Sequence, residues 1–189
     1  PQSAVVLLLK ARNRLFIHKI GEGLFEIKNE TFHFIDGSGF LRNDEIKMIL
    51  PHGKDNFLVG AANNGLFLYD GESFTPWNIS SSQAIKEAEI NCGIVVDDGY
   101  AIGTIVKGIF ILRKDGTLKY HLNTENSLQN NTVLSLGKDA SGNLWAGLDR
   151  GIDYIDLNPP LDFYIDKSGE LGSVYAAALY DGHLWIGTN

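Results

Sequence analysis

The sequence predicts an all-β chain built from one repeated unit, and three sets of recurring residues predict it. The first is a glycine directly behind an apolar residue, at Val59-Gly60, Ile102-Gly103, Ala146-Gly147 and Ile186-Gly187, the glycines standing 43, 44 and 40 residues apart. The second is a glycine that opens a new apolar run, at Gly23, Gly65, Gly108 and Gly151, spaced 42, 43 and 43. The third is a short aliphatic run entered at Val5, Ile46, Ile90, Val133 and Val174, spaced 41, 44, 43 and 41. A functional site would occur once, whereas three marker sets sharing a period of about 43 residues describe architecture.

Each repeat divides into four strand signals separated by turn signals. In the stretch from 132 onward these are "TVLSLGK", the turn "DASGN", "LWAGL", the turn "DRG", "IDYID", the turn "LNPP" and finally "LDFYID". Alternation of apolar and polar residues, rich in β-branched and aromatic types, suits strands of about five residues. "NNG", "VKG" and "DRG" join second to third strands. Their glycines suit a short hairpin loop that needs a left-handed residue, a conformation that a side chain would strain. Gly60, Gly103, Gly147 and Gly187 fall inside strands instead, where glycine marks the close approach of a neighbouring group. Only "SSQAIKEAE", 81–89, reads as helix, and it lies in a connecting loop.

A small sheet of four strands cannot bury both faces alone and must stack on the next. Helix-free repeats of this kind predict blades of a β-propeller. The expected repeats run over about 4–44, 45–88, 89–131 and 132–172, with a truncated fifth over 173–189, all within one partial propeller domain. An incomplete ring leaves an open sheet face and an unpaired edge, so the chain is expected to be part of a longer receptor and to self-associate through its open edges.

Hydrophobic residues make up 44% and charged residues 21% of the 189, an ordinary balance for a globular domain. The longest apolar stretch, "AVVLLL" at 4–9, is strand-sized. No signal peptide is recognisable, so an export signal or anchor is expected outside these residues. A net charge of −7 without a lysine or arginine run argues against nucleic acid and anionic membrane as partners. Cys92 is the single cysteine, which excludes an intrachain disulfide or a cysteine-cluster metal site; it is expected to pack as a small apolar side chain.

Residues 123–156, "NTENSLQNNTVLSLGKDASGNLWAGLDRGIDYID", resemble the two-component regulator propeller repeat. Ser127-Leu128, Asn130-Asn131, Val133, Asp139, Gly142-Asn143-Leu144-Trp145, Gly147 and Gly151 fall on its pattern, and "DGHLWIGTN" at 181–189 repeats its centre. The match is close over 123–189 and looser over 1–122. The first repeat departs by carrying His18 where the others have the strand glycine, and the fourth by carrying Asp153 where its siblings have phenylalanine. The resemblance implies a periplasmic sensor region of an inner-membrane hybrid two-component system. Such a region would detect oligosaccharides or another small ligand and signal to a histidine kinase, without catalytic residue, cofactor or metal of its own.

The candidate site residues are weighed against that background. Trp145 and Trp185 share one repeat position, which favours a filler between blades over a sugar platform, because repetition marks core. Trp77, in "FTPWN", is off that register; it is the better surface candidate, though packing is the simpler reading. The segment Asp139 to Trp145 is not an aspartate box, since Gly137 stands where a hydroxyl is required and two residues separate aspartate from glycine. His18, His33, His52, His121 and His183 form no metal-binding spacing and read as ordinary surface histidines, with His33 and His121 on outer strands and His52 and His183 in turns. The loops that differ between repeats, 36–44, 78–88 and 123–131, are the expected binding surface, with the contact residues themselves unassigned. Two alternatives to a sensor remain open. One is a propeller enzyme of the streptogramin-lyase or lactonase type, which needs a central metal or a histidine base near the channel and would be supported by histidines and carboxylates converging at one end. The other is a protein-interaction scaffold.

Overall fold

The computed structural model describes residues 5–159, 169 and 171–188. The chain divides into two compact units, 1–157 and 158–189, and each is described by itself. The first unit holds four antiparallel sheets in chain order. Sheet 1 is β1 (Val5–Ala11), β2 (Arg14–Lys19), β3 (Gly23–Lys28) and β4 (Thr31–Phe34); sheet 2 is β5 (Ile46–His52), β6 (Asn56–Ala61), β7 (Gly65–Tyr69) and β8 (Phe74–Pro76). Sheet 3 is β9 (Ile90–Val96), β10 (Gly99–Thr104), β11 (Ile109–Arg113) and β12 (Leu118–Leu122). Sheet 4 is β13 (Val133–Lys138), β14 (Leu144–Leu148) and β15 (Ile152–Ile155). Its expected last strand, 161–166, lies outside the described residues. The second unit contributes a hairpin, β16 (Val174–Tyr180) with β17 (His183–Thr188). The one α-helix among the described residues, α1 (Ser82–Glu87), is the segment that the sequence marked as helical, and among those residues no helix is long and apolar enough to cross a membrane.

Sequence periodicity becomes geometry at two places. Gly65, Gly108 and Gly151 have φ of +85°, +78° and +96°, the left-handed backbone expected of hairpin glycines. The five first strands share a second feature, an irregular step in pairing just after the aliphatic residue that opens each of them, at Val5, Ile46, Ile90, Val133 and Val174. A bulge at one position in every repeat bends and twists each first strand alike.

Within the first unit, the first strands β1, β5, β9 and β13 lie beside one another in succession, and three apolar seams join the sheets. Phe16 and Leu24 of sheet 1 meet Phe57, Val59 and Ala61 of sheet 2. Met48 and Leu58 of sheet 2 meet Tyr100 and Ile102 of sheet 3, with Ile85 of α1 closing the seam. Ala101, Ile109 and Ile111 of sheet 3 meet Leu144, Ala146 and Leu148 of sheet 4. Alternate residues of each second strand therefore serve opposite seams, so the sheets read as two-sided layers. Each buried aliphatic or aromatic side chain contributes about 1.5–3 kcal/mol.

Three sequence expectations, all of them histidine placements, are corrected here. His18 is fully buried in β2 instead of lying on the surface. His52 ends β5 and His183 opens β17, so neither lies in a turn. Trp145 is half exposed and pairs with Tyr154 at a centroid distance of 5.0 Å. It faces away from the seam that Leu144 and Ala146 fill, and no sheet of the first unit covers that side. Trp185, on β17, is exposed as well.

Candidate functional site

The loops that enter the first strands meet the hairpins between second and third strands, and backbone hydrogen bonds weld the two together. Ala62 N donates to Glu45 O (2.8 Å), Ile90 N to Ala62 O (3.0 Å) and Ile105 N to Glu89 O (2.9 Å). The crossover loops 36–44, 78–88 and 123–131 lead into this same end of the sheets. A buried carboxylate fixes the first of them. Asp44 accepts from the backbone N–H groups of Asn63 (3.1 Å) and Asn64 (2.8 Å) and from both side-chain amides (3.0 and 2.9 Å). Four donors on one carboxylate leave "NN" of the Asn63-Asn64-Gly65 turn little freedom.

Between these elements opens a cavity of about 490 Å³, walled by sheets 1, 2 and 3 and lined by Asn43, Glu45, Lys47, Asn63, Glu89 and Asn91, with Ile20, Ile90 and Ile105 as apolar wall. Glu45 and Lys47 form an ion pair. Asn91 Nδ2 donates to Val133 O (2.9 Å), tying the cavity wall to sheet 4. The side chains of Asn43 and Glu89, by contrast, take no partner among the described residues. Glu89 also has φ of +59°. It follows Ala88 at the end of α1, the position where a left-handed residue stops a helix and glycine is the usual choice. A carboxylate there costs about 1–2 kcal/mol of backbone strain and places an exposed anion at the rim.

Such a cavity offers directional donors and acceptors above an aliphatic surface, which suits a small polyhydroxylated ligand. Burial pushes the Cys92 thiol up to about 11, so it packs without a reactive thiolate. Among the described residues no three His, Cys, Asp or Glu side chains converge to hold a metal ion.

The remaining candidates are structural. Trp77 is half buried, edge-on to Tyr100 at 6.0 Å and to His52 at 5.5 Å, and it backs the seam between sheets 2 and 3. His52 Nδ1 lies 2.9 Å from the Tyr100 hydroxyl, and burial lowers the imidazole's pKa. His33 and His121 stand on outer strands β4 and β12, where His121 stacks on Phe110 at 4.2 Å. Asp139 closes its turn by accepting from Ser141 N (2.9 Å) and Asn143 N (3.0 Å), the usual aspartate turn. Asp153 accepts from Gln129 N (2.9 Å) and Gln129 Nε2 (2.5 Å), so its departure from the phenylalanine of its siblings clamps the 123–131 loop. The cavity itself was not legible from sequence, because its lining comes from three repeats. Glu89 was one residue outside the loop that was singled out, and only its place after a helix that lacks a terminal glycine could have flagged it.

No protein-family model matches the chain, and no curated protein matches it. Solved structures do. The chain aligns over its full length, with 24% identity and a TM-score of 0.63, to 26% of the extracellular domain assigned to the hybrid two component system BT3049 of B. thetaiotaomicron. It aligns equally completely, with 24% identity and a TM-score of 0.58, to 27% of the corresponding domain of BT4673 from the same organism. It also covers 28% of PorZ, a surface component of the type-IX secretion system of Porphyromonas gingivalis, using 98% of its own length at 18% identity and a TM-score of 0.57. The chain thus spans about a quarter of the length of these structures, with which it shares a fold.

Proposed function

We propose that this chain is part of the ligand-sensing region of an extracytoplasmic, periplasmic receptor of the hybrid two-component type. In this reading its sheets are blades of a β-propeller, and the region carries no catalysis of its own. The cavity between sheets 1, 2 and 3 receives an oligosaccharide or a comparable small polar ligand, and whole-domain movement passes the signal to a histidine kinase. The observation that carries the reading is the full-length structural likeness to extracellular domains of two-component systems. The cavity supports it independently, because it holds a carboxylate and an amide, those of Glu89 and Asn43, that take no partner among the described residues. A rigid sheet scaffold with ligand contacts on its loops converts binding into a shift between whole-domain arrangements rather than into local refolding.

Calorimetric titration of the chain with pooled oligosaccharides of defined composition tests this. Binding is expected for at least one neutral pool, and Glu89→Gln with Asn43→Ala should weaken it at least tenfold. Loss of one hydrogen bond to a charged group costs about 1.5–3 kcal/mol, and each 1.4 kcal/mol is about a factor of ten. Absence of binding to any pool, or affinity unchanged in the double variant, defeats the assignment of this cavity.

A further inference from the structure

We propose that a second cavity, across the Asn63-Asn64-Gly65 turn from the first, is a subsite for an acidic sugar residue. The inference rests on the sensing role proposed above, and narrows its ligand to an oligosaccharide carrying a carboxylate or sulfate group. The second cavity has a volume of about 320 Å³ and lies between sheet 2 and α1. Asn64, Asn78, Gln83 and Lys86 give it a polar lining, with Pro76 and Trp77 as apolar wall. The two cavities share the turn as a wall, since Asn63 lines the first and Asn64 the second. The buried Asp44 carboxylate accepts from Nδ2 of both, at 3.0 and 2.9 Å. With those donors committed, each asparagine keeps its Oδ1 to accept from a ligand hydroxyl. One residue thus holds both faces of the turn and sets the spacing of the two cavities.

The charges of the two cavities are opposite. In the first, Lys47 neutralises Glu45, and Glu89 remains. In the second, Lys86 is the only charged side chain among the described residues that line it. The adjacent carboxylate does not neutralise it: Glu87 accepts from Lys107 Nζ (3.0 Å) and Gln83 Nε2 (2.9 Å), and the Lys86 side chain takes no partner among the described residues. Its stem is nevertheless placed, because a Cβ on Gly65 would lie 3.4 Å from Lys86 Cβ. A stem packed on the turn has less rotamer freedom to lose on binding. Three residues on, the left-handed step at Glu89 (φ +59°) ends the helical path, and this carboxylate lines the first cavity instead. The end of α1 therefore sets a cation in one cavity and an anion in the other. A ligand with one acidic end is oriented by that pair, since Lys86 attracts the acid and Glu89 repels it.

Heteronuclear NMR titration of the full chain with sodium glucuronate, sulfated glucose and glucose reads the second cavity by itself. At least one acid is expected to shift the side-chain amides of Asn64 and Asn78 and the indole N–H of Trp77, with an affinity about fivefold above that of glucose. The preference should shrink as salt is added, vanish in Lys86→Gln and persist in Lys86→Arg. A response to glucuronate alone assigns the subsite to uronates, one to sulfated glucose alone to sulfate esters, and one to both to sugar anions in general; each supports the proposal. No shift with either acid, equal affinity for acids and glucose, or a preference that survives Lys86→Gln overturns it. If neutral oligosaccharide pools fail to bind while the preference holds, the assignment of the first cavity falls and the subsite stands. The reverse pair of results removes the subsite alone.

Discussion

The seam between sheets 1 and 2 and the seam between sheets 3 and 4 occupy equivalent places in the repeat, yet they are built from different chemistry. Between sheets 3 and 4 the strand glycine leaves room for its neighbours: a Cβ on Gly103 would lie 2.6 Å from Val133 Cγ1 and 2.7 Å from Cys92 Sγ. Between sheets 1 and 2 the glycine is replaced by His18, and charge enters. Arg14 donates through Nε and Nη2 to both carboxylate oxygens of Glu26, each at 2.7 Å, and its guanidinium sits 5.0 Å from the Phe16 ring and 5.1 Å from Phe57. One backbone plan thus accepts either an aliphatic seam locked by shape or a titratable seam locked by ions and imidazole. The first should answer to volume and the second to pH.

The largest effects belong to the glycines. Gly108→Ala places a Cβ 2.1 Å from Leu122 O at a φ of +78°, where neither backbone nor conformation can give. A loss of about 2–4 kcal/mol is expected from overpacking joined to left-handed strain. Gly103→Ala should cost about 1–3 kcal/mol, because Val133 is branched and already packed. Gly60→Ala, whose Cβ would meet Met48 first, at 2.7 Å, should cost less than about 1 kcal/mol, since methionine has rotamers to retreat into. Urea denaturation of the three variants measures the order, and a Gly60 variant as damaged as Gly103 would remove volume as the governing quantity.

Next comes the ion pair. The Glu26 side chain is almost buried, whereas the Lys138–Asp97 pair of sheets 3 and 4 is exposed on both sides. Glu26→Gln should cost about 1–3 kcal/mol by leaving Arg14 without its counter-charge, and Asp97→Asn less than about 1 kcal/mol. Hydrogen bonding from Arg14 holds the Glu26 carboxyl below its ordinary range, against an opposing push from burial and with further help from Lys28. A carboxyl whose folded pKa is depressed stabilises the fold above its unfolded value of about 4.5, and that contribution disappears as pH falls through the folded value. Denaturation midpoints between pH 3 and 5 should therefore fall in the parent chain and stay flatter in Glu26→Gln.

How much of this contrast could be read beforehand follows from what each feature depends on. The repeat, the four-strand rhythm and the left-handed glycines were legible, because period, alternation and turn chemistry are local properties of Gly65, Gly108 and Gly151. The helix over 81–89 was legible for the same reason. Burial was not local. His18 looked like a scattered histidine because nothing in "LFIHKI" says that Leu41, 23 residues on, closes over it. Trp145 looked like a wedge because its repeat position is a seam position, and whether a seam is filled depends on which sheet lies opposite. The cavity was the least legible of all. Asn43, Asn63 and Glu89 belong to different repeats, and only the welded loops bring them to one rim.

His18 gives the smallest and most selective test of the comparison. Its Nε2 lies 3.2 Å from Leu41 O, and its Nδ1 has no partner, so the ring fits the seam as a neutral donor through Nε2. Burial is the main cause lowering its pKa; the hydrogen bond to Leu41 and the charges of Asp44 and Glu45 oppose it without reversing it. The unfolded histidine, near 6.5, then takes up a proton before the folded one does. Stability is complete above about pH 6.5 and falls as pH drops toward the folded value, a window distinct from the one that Glu26 governs. His18→Gln keeps a donor for Leu41 and removes the proton uptake. It should flatten the slope between pH 6.5 and 5 while leaving the acid limb below 4.5 unchanged. His52, also lowered by burial, adds to the same slope, so His18→Gln with His52→Gln should flatten it further than either variant alone. If the slope survives in His18→Gln, the titratable character of the seam between sheets 1 and 2 resides in its carboxylates alone.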